Sequence, residues 1–159
     1  MTDGITPSIV LGKVVDIDDP EGRLRVRLQR LDQPDSMETS WADVVTPMAS
    51  NAAGFYFVPE LDDIAVMAFH GQRPMVIGYI FTPNGELPTS ESKERIIQSV
   101  DGNALILIDG DKSGITLRDK HSNEITMNAD GITIKTDKDF TIEAKGKATI
   151  KGSTVELNP

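Results

Sequence analysis

The sequence contains no cysteine, which excludes disulfide bonds and thiolate metal sites. It has no apolar run near the roughly 20 residues that a transmembrane helix requires. Its start, MTDGITPSIV, also lacks the basic and apolar segments of a signal peptide. We therefore expect a protein with no signal peptide or transmembrane segment that is assembled in the cytoplasm.

Positive charge is scarce, since 16 lysines and arginines are set against 25 acidic residues, for a formal net charge of -9 at pH 7. Binding to phosphate backbones or anionic membranes needs clustered cations. The one basic cluster is Arg23, Arg25, Arg27 and Arg30 on a predicted strand, and an aromatic run lies in a predicted loop at 55–57. Single-stranded nucleic acids are bound by such combinations, but the acidic total favours arginines that face solvent or an acidic protein surface. We predict no nucleic-acid partner.

Residues typical of catalytic or metal sites are few and unfavourably spaced. The two histidines, His70 and His121, lie in a predicted hairpin and a predicted turn, and no serine lies in a nucleophile-elbow context. Acidic residues cluster at 16–19 and 62–63, as is typical of turns between strands. The stretch 109–111 resembles a calcium loop but lacks the terminal glutamate of an EF-hand. The sequence therefore predicts no enzymatic activity, no metal site and no cofactor.

Two regions of different composition follow one another along the chain. Residues 8–84 contain Trp41, both tyrosines and four of the five phenylalanines, whereas Phe140 is the one aromatic residue after position 95. The stretch TPNGELPTSESKE between them is rich in Pro, Gly and Ser, as linkers are. We predict an N-terminal tail at 1–7, a domain at 8–84, a linker at 85–95 and a second domain at 96–159.

Apolar alternation predicts five strands in the first region. One hairpin joins IVLGKVVDIDD to RLRVRLQRL across PEG, SWADVVTP is a third strand, and a second hairpin joins IAVMAFH to MVIGYIF across residues 71–74. The segment before the second hairpin is irregular, with at most a turn of helix. We place Trp41 in the core, together with one residue of 55–57. Five short strands in about 75 residues predict an OB-fold barrel.

The second region repeats a unit of one apolar, one polar and one apolar residue six times, and the units begin at positions 115, 125, 132, 140, 148 and 155. RIIQSV and NALILID are predicted as two earlier strands. In each unit the outer two residues share one face of a strand, and the middle residue, usually threonine, points the other way. The predicted apolar face consists of Ile115, Leu117, Ile125, Met127, Ile132, Ile134, Phe140, Ile142, Ala148, Ile150, Val155 and Leu157.

Nothing else in the sequence remains to cover this apolar face. A single-chain β-helix would need three units per coil and would have only about two coils, too few to be stable alone. Three identical chains wound around one axis would bury the face and leave no open sheet edge. We therefore predict an all-β homotrimer in which the barrel is followed by a needle, a triple-stranded intertwined β-helix.

On these features the chain resembles the central spike of contractile injection machines, a family that includes phage baseplate assembly protein V and the valine-glycine-repeat spike of type VI secretion systems. The resemblance rests on GKVVDIDDPEGRLRVRL and on the run from SWADVV to VIGYIF. The family pattern has Gly-x-Val in the first strand, Trp at the third, Gly-Phe before a proline, and P-x-V-x-G in the last strand. The matching residues are Gly12, Trp41, Gly54, Phe55, Pro59, Val66, Phe69, Pro74 and Gly78.

The resemblance implies a structural protein of a virion or injection-particle baseplate, which forms its trimeric membrane-piercing tip. Its expected partners are a separate baseplate hub protein, a PAAR-type tip protein and, transiently, the target-cell membrane. The linker leaves no room for the lysozyme domain of some phage spikes, and the tail lacks the His-x-His iron site of others. Docking of the tip protein is expected on Val155, Glu156, Leu157, Asn158 and Pro159.

The resemblance covers phage tails, type VI secretion systems and extracellular injection particles alike. The alternative hypothesis, from another class of protein, is an OB-fold adaptor or binding module with a flexible tail. It predicts a monomer whose tail is cleaved rapidly by proteases, whereas a spike would be a trimer with a resistant C-terminal core.

Overall fold

The computed structural model describes residues 9–33 and 37–156, and in that part of the chain every helix or strand assigned is a β-strand. The chain divides into two compact units between Leu87 and Pro88, which lie within the predicted linker 85–95. The predicted tail 1–7 lies outside the described residues, as do Leu157, Asn158 and Pro159 of the predicted needle. The domain limits themselves stay a prediction.

The first unit contains the strands β1 (Val10–Asp16), β2 (Arg25–Arg30), β3 (Ala42–Val44), β4 (Ala49–Ser50), β5 (Ala53–Gly54), β6 (Ile64–His70) and β7 (Arg73–Ile80). Five of them close into a barrel of order β1-β2-β3-β7-β6, while β4 and β5 form a separate short hairpin. Neighbouring barrel strands are antiparallel, except that β3 and β7 are parallel. The predicted OB-like barrel is thus confirmed.

Alternate residues of the barrel strands form its core. The large side chains that are fully buried, at 0–1% exposure, are Val14, Val26, Leu28, Met67 and Val76. Gly12 in β1 lies against this core, because a Cβ at that position would be 2.5 Å from Met67 Sδ and 3.1 Å from Leu28 Cβ. The absence of a side chain at Gly12 therefore leaves the space that the Met67 side chain occupies.

Two local predictions in the barrel are wrong. The turn predicted at 71–74 is shorter, because β7 begins at Arg73 and only Gly71 and Gln72 connect it to β6. Gly71 has a φ of 63°, which suits the first position of a two-residue hairpin loop. The segment before β6, where at most a turn of helix was predicted, contains the β4–β5 hairpin instead.

The prediction that Trp41 lies in the core is also wrong. Ala42, the next residue, is fully buried, and adjacent residues of a strand point to opposite faces. Trp41 is therefore only half-buried, and its ring lies 5.9 Å from the guanidinium carbon of Arg25. This distance is typical of a cation–π contact, which shields one side of the arginine from water.

The second unit contains β8 (Glu94–Gln98), β9 (Ala104–Ile108), β10 (Gly114–Arg118), β11 (Glu124–Asn128) and β12 (Gly131–Lys135). They form an antiparallel sheet of order β12-β11-β10-β9-β8, in which each strand pairs with the next along the chain. The strands predicted for RIIQSV and NALILID are confirmed as β8 and β9. The first three repeat units form β10, β11 and β12.

The strands of this sheet pair within one chain, and the predicted winding of three chains around one axis stays a prediction. The connections between its strands are two to five residues long, and such short connections favour antiparallel pairing within one chain. Only the outer edges of β8 and β12 are open in the sheet. None of the described residues after Lys135 lies in a strand, so the repeat units at 140–142 and 148–150 have no strand partner in their own chain.

Candidate interaction surfaces

One face of the second sheet presents two rows of apolar side chains. Residues paired across neighbouring strands lie on the same face, so the register aligns side chains from successive strands. The first row is Ile97, Leu105, Leu117, Ile125 and Ile134. The second row is Leu107, Ile115, Met127 and Ile132, with Arg95 at its β8 end. We call these nine apolar residues the needle face.

The needle face is open in the single chain. Ile132 is 72% exposed, Ile134 is 56% exposed, and Leu117 is 45% exposed. Contiguous apolar surface of this kind marks an interaction site in a soluble protein. Six residues predicted for the needle core share this face, and their meeting at a trimer axis stays a prediction: Ile115, Leu117, Ile125, Met127, Ile132 and Ile134.

The opposite face of the same sheet has a row of threonines. Thr116, Thr126 and Thr133 are aligned across β10, β11 and β12, on the side away from the needle face as the repeat predicted. Thr116 is nevertheless buried, because it lies on the central strand between Thr126 and Ile106, which is itself only 6% exposed. The sheet therefore has one open apolar face, and an opposite face on which the threonines of β10–β12 continue into Ile106 and Ile96 of β9 and β8.

Two turns at the same end of the sheet share a hydrogen-bond pattern that the sequence reasoning missed. In SVDGN, residues 99–103, the backbone N–H of Asn103 donates to Ser99 Oγ at 3.1 Å. In DKHSN, residues 119–123, the backbone N–H of Asn123 donates to Asp119 Oδ1 at 3.0 Å. The detectable signal was a serine or aspartate four residues before an asparagine, which is typical of side chains that close turns.

These two turns are also bonded to each other and to the residues that follow β12. The backbone N–H of Lys120 donates to Asn103 Oδ1 at 3.2 Å, and its Nζ lies 2.6 Å from Asp101 Oδ2. Thr136 Oγ1 donates to Asn123 Oδ1 at 2.6 Å. The Asn123 amide, followed by backbone N–H groups, lowers the pKa of the Asp119 carboxyl. This polar network fixes the direction in which the chain leaves the sheet.

The described tail after β12, residues 136–156, keeps its apolar side chains in solvent. Phe140 is 60% exposed, Ile142 is 71%, Ile150 is 74% and Val155 is 50%. Ala148 and Glu156 are exposed as well. Of the positions predicted to dock a tip protein, only 155 and 156 are described, and the remaining three lie outside the described residues. The described tail thus has the same spacing of apolar residues as the sheet strands but forms no strand-to-strand hydrogen bonds.

The basic cluster of the barrel offers little free charge, because each of its arginines is paired with a carboxylate of the same chain. The pairs are Arg23–Glu21 (3.3 Å), Arg25–Asp19 (2.6 Å), Arg25–Glu21 (3.1 Å), Arg27–Glu38 (2.6 Å) and Arg30–Asp32 (2.6 Å). A phosphate would have to compete with these carboxylates for the same guanidinium groups. The pairing favours the prediction that the cluster does not bind nucleic acid.

Asp19 is the centre of the β1–β2 turn, and its side chain is only 3% exposed. Its carboxylate accepts hydrogen bonds from the Arg25 guanidinium at 2.6 and 3.0 Å. It also accepts hydrogen bonds from the backbone N–H groups of Glu21, Arg23 and Arg25 at 3.0, 2.9 and 3.2 Å. These donors, Arg25 foremost, hold the pKa of Asp19 well below its usual range. Asp18 and Asp19 of the acidic stretch therefore lie in the β1–β2 connection, as the composition predicted, while Asp16 is the last residue of β1.

The aromatic run of the barrel lies on its surface. Phe55, Tyr56 and Phe57 are 48%, 71% and 59% exposed, so the prediction that one of them is in the core is wrong. Phe55 and Phe57 line a small cavity of about 110 Å³ with Tyr79. Burial, followed by the nearby charge of Asp63, raises the pKa of Tyr79 to about 12. These rings form the rim of the barrel rather than its interior.

The residues that match the family pattern differ in burial and in the space around them. Pro59 and Pro74 are buried, and Phe69 packs against the barrel core. Gly54 has no room for a side chain, because a Cβ would lie 2.4 Å from the Met48 carbonyl oxygen. Gly78 differs from Gly12 and Gly54, since a Cβ there would meet no atom within 4 Å.

Among residues 9–33 and 37–156, no group of three or more His, Asp or Glu side chains is placed to hold a metal ion. The two histidines lie on different units, His70 at the end of β6 and His121 in the β10–β11 turn. In the same described part of the chain, no helix is long and apolar enough to cross a membrane.

Two protein-family models match the chain one after the other. The first describes a type VI secretion system/phage-baseplate injector OB domain and matches residues 10–81, which contain the barrel. The second describes a phage baseplate V C-terminal trimerisation domain and matches residues 94–159, which contain the sheet and the tail. No curated protein matches the chain. The order of the two matches agrees with the order of the two units.

Proposed function

The chain belongs to the baseplate spike protein family and has the trimerisation domain of a homotrimer, and from this premise we propose that three copies form the membrane-piercing tip of a contractile injection machine. The observation that supports this function best is the needle face, an apolar surface of nine residues open in the single chain. The protein acts through its stiffness, without enzymatic activity.

Three needle faces meet around one axis in the trimer. Burying one leucine or isoleucine side chain contributes about 1.5–3 kcal/mol, so nine residues per chain supply enough free energy for a permanent assembly. Thr126 and Thr133 then lie on the outside of the shaft. This arrangement accounts for the apolar residues on one side and the threonines on the other side of β10, β11 and β12.

The tails of the three chains wind around one another, whereas the strands of each sheet pair within one chain. The outer edge of β12 pairs with no strand among residues 9–33 and 37–156, and an open edge of this kind binds another strand. The units at 140–142 and 148–150 have the apolar spacing of a strand but no partner either. Pairing each tail with neighbouring copies satisfies both sets of backbone groups and buries Phe140, Ile142, Ala148, Ile150, Val155 and Leu157.

The needle transmits force that the contracting sheath supplies. Strands stack about 4.8 Å apart, so five sheet strands and three tail units give a shaft roughly 40 Å long. Neighbouring strands in such a shaft are hydrogen-bonded along their length, and bending it would break several hydrogen bonds at once. The barrels dock on a baseplate hub, and Val155, Glu156 and the three residues after them receive a PAAR-type tip protein. Contact with the target membrane is transient.

Light scattering on the full chain, before and after mild proteolysis, tests this proposal. The expected mass is that of three chains of 17.3 kDa each, with a resistant fragment that begins near Pro88. A 17.3 kDa monomer that rapidly loses everything after Leu87 would contradict it. That result would favour an OB-fold adaptor with a flexible tail, for which the unpaired residues 136–156 are the supporting observation.

A further inference from the structure

We propose that the three barrels of the trimer contact one another through the outer face of β1, β6 and β7, and that Gly78 is the point of closest approach. The inference rests on the proposed trimeric spike, and it assigns a partner to a barrel surface that the spike function leaves unassigned. The occupant of this surface is a second copy of the same barrel.

The outer face of these three strands is apolar, although the outside of a barrel usually meets water. The inward residues Ala65 and Met67 are fully buried, so the residues between and beside them point outward. The outward residues of β6 pair with residues of β1 and β7 on the same outer face. Leu11, Val66 and Gly78 form one row of this face. Ile64 and Ile80 belong to the next row, which has Lys13 at its β1 end and in which Ile80 is 45% exposed. We call the five uncharged residues of these two rows the barrel face.

Gly78 lies at the β7 end of the row Leu11–Val66–Gly78. Nothing in the described part of its own chain requires a glycine there: its φ is outside the left-handed region, and a Cβ would meet no described atom within 4 Å. Glycine in the interior of a strand weakens it and often marks the close approach of another backbone. Gly12 shows the contrast, because its missing side chain is explained by Met67. The open flat site at Gly78 therefore indicates contact with a molecule outside the chain.

A second barrel is the partner that connectivity provides. The barrel face lies on β7, and only the short segment 81–93 connects Ile80 to Glu94, where β8 of the trimerisation domain begins. At about 3.3–3.6 Å per residue, such a connection spans at most roughly 45 Å. Each barrel is thus tethered close to two identical barrels, at an effective concentration of order millimolar. Weak apolar contacts are populated under these conditions.

Charge also permits self-contact at this face. The chain is acidic, with a net charge of -9, so most approaches between copies bring like charges together. At the barrel face the charge of Lys13, which lies opposite Ile64, is paired with Asp62 at 3.0 Å. Contact between copies at this face therefore does not bring unpaired like charges of these residues together.

Cross-linking of single cysteines in the full chain tests this contact, because the sequence has no cysteine of its own. Ile80→Cys places a thiol in the barrel face, and Ser50→Cys places one on exposed β4 as the matched control. With a short bismaleimide we expect covalent dimers and trimers from Ile80→Cys at about tenfold the yield of the control, independent of dilution. Adding Gly78→Glu to Ile80→Cys should abolish this yield, with Trp41 fluorescence reporting that the barrel stays folded.

The outcomes separate this inference from the function on which it rests. A mass of 17.3 kDa by light scattering would overturn the trimeric spike itself. A trimer in which both cysteines cross-link equally, or in which the yield falls on dilution, would overturn the barrel contact alone. Rapid labelling of both thiols by a monofunctional maleimide would also overturn the barrel contact. It would show that the barrel face is accessible in the trimer and therefore free to bind the hub.

Discussion

At the scale of single residues, Asp19 links the pH dependence of the barrel to one turn. A carboxyl whose pKa is lower in the folded than in the unfolded protein stabilises the fold above the unfolded pKa, about 3.9 for aspartate. That stabilisation is lost as pH falls through the folded pKa. Because Arg25 and three backbone N–H groups lower the pKa of Asp19, it contributes fully near neutral pH and progressively less in acid.

We therefore expect Asp19→Asn to lower the thermal midpoint of the barrel at pH 7 and to flatten its dependence on pH below about 4. Trp41 is the single tryptophan of the chain and lies beside Arg25, so its fluorescence measures this transition. Asp32→Asn is the matched control, because Asp32 binds Arg30 but is 39% exposed. Equal effects of the two substitutions would show that burial of Asp19 has no special role.

Gly12 gives a prediction about packing. Gly12→Ala places a methyl group where Met67 Sδ lies, at 2.5 Å, and such overpacking typically costs about 1–3 kcal/mol. Urea unfolding followed by Trp41 fluorescence measures the loss in free energy of unfolding. Ser50→Ala, an exposed change in β4, should stay within about 0.5 kcal/mol of the parent. A Gly12→Ala barrel as stable as the parent would mean that Met67 moves aside at no cost.

At the scale of elements, the paired turns 99–103 and 119–123 fix the hairpins of the second sheet. Asn123 Oδ1 accepts a hydrogen bond from the Thr136 hydroxyl, and Asn123 Nδ2 donates one to Asp119 Oδ2 at 2.7 Å. Asn123→Ala removes these bonds and leaves their partners unsatisfied, which should cost about 1–3 kcal/mol. This loss of stability should appear as faster hydrogen exchange of the β10–β11 amides in the intact protein.

The same turn supplies its own control. Ser122 has a φ of 68°, in the left-handed region where a side chain is strained. Ser122→Gly removes that strain, worth about 1–2 kcal/mol per residue, and should slow exchange or leave it unchanged. If Ser122→Gly opened the turn as much as Asn123→Ala, the hydrogen bonds of Asn123 could not be the cause.

At the scale of the whole molecule, the two faces of the second sheet predict opposite responses to charge. Ile134→Asp places a carboxylate in the needle face of each chain, and an unpaired buried charge costs several kcal/mol. We expect the mass by light scattering to fall from that of three chains to the 17.3 kDa of one. Thr133→Asp, the neighbouring residue on the opposite face of β12, should remain a trimer. Both residues are exposed in the single chain, so neither change should prevent the sheet from folding.

The same pair of variants tests force transmission. Particles assembled with Thr133→Asp should contract and penetrate target cells as the parent does, because the added charge faces solvent. Particles with Ile134→Asp should lack the needle or fail to penetrate, although their sheaths still contract. Normal penetration by particles that retain an Ile134→Asp spike would contradict a role for the needle face in piercing.

The sequence by itself determined the features that depend on local alternation. Val26 and Leu28 alternate with Arg25 and Arg27, and this period of two suffices to predict a strand with one buried face. The same period in the repeats predicted which residues of β10, β11 and β12 share a face. An OB-like barrel and a one-sided apolar sheet could therefore be predicted without coordinates, and the residues of the family pattern could be located along the chain.

Only the tertiary structure decided which distant residues meet. Trp41 is outside the core because closure of the barrel turns Ala42 inward. The guanidinium of Arg27 forms an ion pair because the fold brings the Glu38 carboxylate beside it. The sheet pairs within one chain because its connections are short enough for hairpins, while the described tail, residues 136–156, forms no strand. Strand register and barrel closure depend on contacts between segments far apart in sequence, so local periodicity fixes which side of a strand is apolar but not what covers it.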